Sequence, residues 1–122
     1  MHIAPLNPWL HLYYVVTGLN SYGVQVNPGQ QLSRQEALRI FTRNNSWFLR
    51  MEDKIGSIEQ GKLADLLVLN RDYFSVPAEE IKQIRPLMTV VDGEVVHDTG
   101  ELGSVRCRRR DTRGHDPRGR WD

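Results

Sequence analysis

Four consecutive apolar residues, Leu66-Leu67-Val68-Leu69, constrain the fold most. They follow a Gln60-Gly61 turn and read as a strand. Side chains alternate along a strand, so this one is apolar on both faces and needs cover on both. The residues before it offer two helical stretches, enough for one side only. Something that covers the other side is expected to be missing.

The helical stretches lie upstream. Asn7-Pro8 is an N-cap followed by a residue pre-set for the first helical turn. Trp9, Leu12, Tyr13 and Val16 then recur at helical spacing, and Leu10, Tyr14 and Val15 make the other side apolar too, so the helix is expected to be buried. Gly18 ends it. Residues 18–32 are rich in Gly, Asn, Gln and Ser and read as a loop. Ser33-Arg34-Gln35-Glu36 matches a capping box and opens a helix through Ala37, Leu38, Ile40 and Phe41. Asn44-Asn45-Ser46 is expected to interrupt it and cap a short helix from Trp47 to Met51. Asp53-Lys54-Ile55-Gly56 closes the helical half. Beyond the first strand, Ala78-Glu79-Glu80-Ile81 reads as one helical turn with acids at its N-terminal end. Arg85 to Val91 and Glu94 to His97, joined by Asp92-Gly93, read as a β-hairpin.

Charge divides the chain near Gly103-Ser104. Val105 to Asp122 holds seven Arg and three Asp, whereas the preceding residues hold nine Lys+Arg and twelve Asp+Glu. The tail is nearly free of apolar residues and is expected to be disordered. The mildly acidic body argues against a nucleic-acid-binding fold. No apolar run reaches membrane-spanning length, and the N-terminus does not read as a signal peptide. The single cysteine, Cys107, excludes an internal disulfide framework, and the expected compartment is the cytoplasm.

The chemical inventory is thin. His2, His11, His97 and His115 show no helical or strand ligand spacing, and there is neither His-x-His nor Cys-x-x-Cys. His11 reads as a core or interface histidine, and His97, next to Asp98, as an exposed strand end. The serines (Ser21, Ser33, Ser46, Ser57, Ser75 and Ser104) lack a glycine elbow. Gly56 to Lys62 has nearly phosphate-loop spacing. Leu63, however, stands where Ser or Thr would meet magnesium, and a strand follows where a helix is needed. Cys107 sits among Arg106, Arg108, Arg109 and Arg110, a field that favours thiolate, on a tail that cannot position a substrate.

The stretch from Gly56 through Lys62, Ala64 and Asp65 to Leu69 strongly resembles the C-terminal signature of the amidohydrolase superfamily. Three flanking blocks narrow the resemblance to the amidohydrolase 3 type. They are Asn7-Pro8-Trp9-Leu10, Ser33 to Leu38 with Phe41-Thr42, and Ile84-Arg85-Pro86 through Val96. The blocks stand in family order and cover residues 1 to about 99.

The resemblance implies large metal-dependent hydrolases of non-peptide C–N bonds. Such enzymes carry a (β/α)8 barrel and a small β-sandwich built from both chain ends. Their ligands for zinc or another divalent metal lie on barrel strands. A whole barrel takes about 250 residues, so 122 residues cannot hold one. None of the family's metal ligands carries over to a position of this sequence. The expected fold class is α+β, with closing barrel helices (1–55), part of the composite sandwich (56–100) and a disordered basic tail (101–122). No catalytic, cofactor-binding or metal residue is assigned. His2 reads as a rim residue of the former active site. Asp65 reads as a structural residue that pairs with Lys62 or caps the turn that Gly61 permits. The chain is expected to be a truncated family member, inactive alone. The alternatives are one subunit of a split enzyme or an interaction module. Self-association or a complementing barrel chain is the expected partner, with no membrane and no nucleic acid.

Overall fold

The computed structural model describes residues 6–103. The expectations placed on His2, Ser104, Cys107, His115 and the Arg-rich segment lie outside the described residues, apart from Glu101, Leu102 and Gly103. Among the described residues the fold is a small α+β arrangement of three α-helices, one 3-10 turn and a three-stranded antiparallel sheet.

Helix α1 (Pro8–Thr17) starts and stops where its terminal residues dictate. The Asn7 side chain accepts a hydrogen bond from Trp9 N–H at 3.0 Å, and Gly18 adopts a left-handed φ of 73°. Trp9, Leu12 and Tyr13 are buried, whereas Leu10, Tyr14, Val15 and Val16 are half-buried, so one face rather than the whole circumference is sealed. Helix α2 (Arg34–Phe41) opens with the expected capping box. Ser33 Oγ accepts from Glu36 N–H, and the Glu36 carboxylate accepts from Ser33 N–H.

The next helix differs from expectation. The break falls at Thr42 (φ −121°, ψ −86°), and α3 spans Arg43–Phe48, so Asn44, Asn45 and Ser46 lie inside a helix. They do not cap one that starts at Trp47. Two of their side chains serve carbonyls behind them: Asn45 Nδ2 donates to Phe41 O, and Ser46 Oγ donates to Arg43 O. A side chain turned back on the preceding turn does not cap the helix ahead of it. Gly56 (φ 90°) packs against buried Ser46 so closely that a Cβ there would stand 2.7 Å from its Oγ. That contact folds the segment after α3 back onto it.

Strands β1 (Leu66–Leu69), β2 (Pro86–Val91) and β3 (Glu94–Asp98) form the sheet in the order β1-β2-β3. The hairpin turn puts both central residues at positive φ, Asp92 at 50° and Gly93 at 77°, the mirror-image geometry that follows the strand twist. The connection from β1 to β2 carries the 3-10 turn Ala78–Gln83. This turn, Tyr73 and Ile84 build the core with Trp9, Leu12 and Tyr13 of α1 and Ala37 of α2; Leu69 and Val76 pack against it.

The sheet therefore hangs on the core by one end. Cover for β1 is expected to be incomplete, and among the described residues Leu67 is 55% exposed and Val68, on the opposite face, 37%. No helix among the described residues is long and apolar enough to cross a membrane.

Candidate functional site

The signature segment is a knot of hydrogen bonds. Gly61 takes a φ of 91°, a region that a side chain would strain. Lys62 Nζ then reaches back to Glu52 O at 2.7 Å and Ser57 Oγ at 2.6 Å, with the Glu59 carboxylate at 3.7 Å. Ser57 Oγ in turn donates to Glu59 Oε1. Two of the ammonium's hydrogen bonds go to the loop itself and its charge sits beside the Glu59 carboxylate, so the lysine is turned onto the loop rather than held out to a phosphate.

Asp65 does not pair with Lys62, contrary to one of the two expectations. Its Oδ1 accepts from Asp92 N–H at 2.9 Å, and the Ala64 carbonyl accepts from Gly93 N–H at 3.1 Å. Asp65 does serve a turn, but the hairpin turn across the sheet rather than the Gly61 turn beside it. A separation of 27 residues hid this pairing from local reading. The carboxylate is thereby a clasp between the start of β1 and the β2–β3 hairpin.

A second polar group ties α1 to the 3-10 turn. Tyr13 is 2% exposed and donates through its hydroxyl to Glu79 Oε1 at 3.0 Å. Lys82 Nζ lies 3.2 Å from Glu79 Oε2 and 5.0 Å from the Tyr13 ring centroid. Burial first, then the hydrogen bond to Glu79, raises the Tyr13 pKa above its ordinary value, so the phenol stays neutral and remains a donor. A reciprocal pair joins α2 to the same region: Arg34 Nη1 donates to Tyr73 O, and Tyr73 Oη donates to Arg34 O.

These groups fasten elements and do not converge on an open site. His11 is half-buried on α1, and His97 is exposed on β3 opposite Thr89. Asp98, the neighbour of His97, accepts instead from Gly100 N–H. Among the described residues no three His, Cys, Asp or Glu side chains gather to hold a metal ion. The metal that the resemblance implies does not fit the donors these residues present. Ser33 and Ser46 are spent on caps and backbone carbonyls, and Ser75 Oγ donates to the Asp72 carboxylate.

Sequence reasoning did not single out one surface feature. Trp47, Phe48 and Leu49 are 66%, 77% and 63% exposed, and Trp47 and Phe48 meet edge to face at 5.5 Å. With Arg50 and Glu52 the two rings border an open cavity of about 570 Å³. A signal was present. Three successive bulky apolar residues cannot share one helical face, so one at least must leave the core.

An α+β frame tied together by its polar groups, without a cluster of metal ligands among the described residues, is the class of protein that this geometry defines. The family model for the amidohydrolase 3 type, described as the amidohydrolase family, matches residues 1–97, and the chain belongs to that family. One relative is an N-substituted formamide deformylase of Arthrobacter pascens, 38% identical over 71 residues, which cover 58% of this chain and 13% of the relative. Another is the Bacillus subtilis (strain 168) protein named "Putative amidohydrolase YtcJ", 26% identical over 99 residues, 79% of this chain and 19% of the relative. The chain thus spans less than a fifth of the length of these curated relatives. No solved structure matches it.

Proposed function

We propose that this chain is the closing scaffold of an amidohydrolase 3 type hydrolase and has no hydrolytic activity by itself. In this reading α1, α2 and α3 are the last barrel helices, and β1 to β3 are part of the composite sandwich. The metal ligands belong to a barrel supplied by further polypeptide, continuous with this chain or separate from it. Bound zinc or another divalent metal would supply the activated water that attacks the amide or formamide carbonyl. This chain's residues would position the barrel's closing elements and hold no ligand.

One observation carries the reading: a family match over residues 1–97 within a chain that covers 13% and 19% of its relatives. The exposed apolar residues of β1 and α3 support it, because they mark where a covering layer would sit.

The test uses the purified chain with an N-substituted formamide and an N-acyl amino acid, the first chosen for the deformylase relative. The expected result is no turnover with added zinc, and less than one zinc per chain after dialysis. Chelator-sensitive turnover, or one tightly held zinc per chain, would overturn the proposal. A complementing barrel, where one exists, is expected to co-purify with the chain.

A further inference from the structure

The two edges of the sheet are not equivalent. The outer edge of β3 carries Glu94 and Asp98, and two copies paired there about Val96 would set acid opposite acid twice. The outer edge of β1 carries Leu66, Leu67, Val68 and Leu69 and no charge within the strand. An exposed, uncharged apolar edge offers unpaired backbone groups to another chain, even when the strand is short.

The backbone specifies which groups are on offer. The Ala64 carbonyl accepts from Gly93 N–H, and Asn70 N–H donates to the Arg85 carbonyl. Residues 64 and 70 therefore face inward, toward β2 and its hairpin. The register of β1 on β2 skips a residue of β2, Leu87, and none of β1, so this alternation holds along the whole strand. Leu66 and Val68 thus spend their backbone groups on β2, and Leu67 and Leu69 turn theirs outward.

We propose that β1 pairs antiparallel with β1 of a second copy about a two-fold axis at Val68, joining two three-stranded sheets into one of six strands. The outward residues share one parity, so a two-fold axis can fall only on a residue. Centred on Val68, Leu67 pairs with Leu69 of the second copy and Leu69 with its Leu67. That register uses the outward N–H and carbonyl of all four residues. Centred on Leu67, Leu69 would face Asp65, whose N–H is already given to the Leu63 carbonyl.

Charge agrees with the Val68 register. It sets Asp65 opposite Arg71 at both ends. Asp65 uses one carboxylate oxygen on Asp92 N–H, and Arg71 uses Nη1 on Glu80, so each keeps further hydrogen-bonding capacity. Val68 meets its symmetry mate as a non-hydrogen-bonded pair, the closer of the two antiparallel pairings at about 4.5 Å between Cα atoms. The proposal is independent of the hydrolase reading.

The experiment takes the full 122-residue chain with Cys107→Ser, so that an introduced thiol is the only one. Sedimentation equilibrium is expected to show the mass doubling as concentration rises. Val68→Cys is expected to form an inter-chain disulfide under mild oxidation, since the pair spacing lies within disulfide reach. Leu66→Cys, set opposite Asn70, is expected not to do so. Leu67→Lys is expected to abolish the dimer while circular dichroism remains that of the parent. A monomer at every concentration would overturn the proposal. So would a dimer in which Val68→Cys crosslinks no better than Leu66→Cys, because the copies would then meet elsewhere, as at Trp47, Phe48 and Leu49.

Discussion

Glu36, Glu59 and Asp72 are exposed carboxylates held by local hydrogen bonds. The Ser33 hydroxyl and N–H lower the pKa of Glu36 below 4.5. The Ser57 hydroxyl, then the Lys62 ammonium, do the same for Glu59. The Ser75 hydroxyl, then Phe74 N–H, lower Asp72 below 3.8. Each group binds its proton less readily folded than unfolded, so it adds stability above the ordinary carboxylate range. That contribution is lost as pH falls through the depressed folded values. Denaturant midpoints are expected to hold steady from neutral pH down to that range and drop below it, and the acid drop is expected to shrink in Ser33→Ala. The Ser33-Glu36 pairing was legible in the sequence because partners three residues apart are local. The Asp65 partner was not, because only the folded sheet brings Asp92 beside it.

At the scale of elements, the terminal residues of α1 and α2 and the Asp92-Gly93 turn were readable because capping and positive φ are decided within a few residues. The α2–α3 break was misplaced because Asn and Ser can either cap forward or bond backward, and packing chooses between the two. Here the close approach of Gly56 to Ser46 accompanies the backward choice. The clasp from Asp65 to the hairpin is an element-scale feature too. Asp65→Ala is expected to cost about 0.5–1 kcal/mol, the low end for a hydrogen bond at an exposed site. Urea denaturation measures it, and Asp65→Asn, which keeps an accepting oxygen, is expected to recover most of the loss.

Among the described residues the molecule depends on one small core and leaves Leu67 and Val68 of β1 exposed. Ile81 is fully buried where the 3-10 turn meets α1. Ile81→Ala is expected to cost about 2–5 kcal/mol by lost transfer energy and a residual cavity, a large share of what a domain of this size holds. Thermal denaturation is expected to show the loss of a cooperative transition or a strongly lowered midpoint, with α1 and the 3-10 turn released together. The amino-acid order alone determined the family, the caps of α1 and α2, the strand and the hairpin, since each is written in neighbouring residues. It also implied that β1 lacked a cover. Tertiary structure decided where α2 yields to α3, that Asp65 serves the hairpin, and that Leu67, Val68, Trp47 and Phe48 stand in the open. Those outcomes depend on contacts between distant segments, and no local pattern encodes which distant surface comes to rest against which.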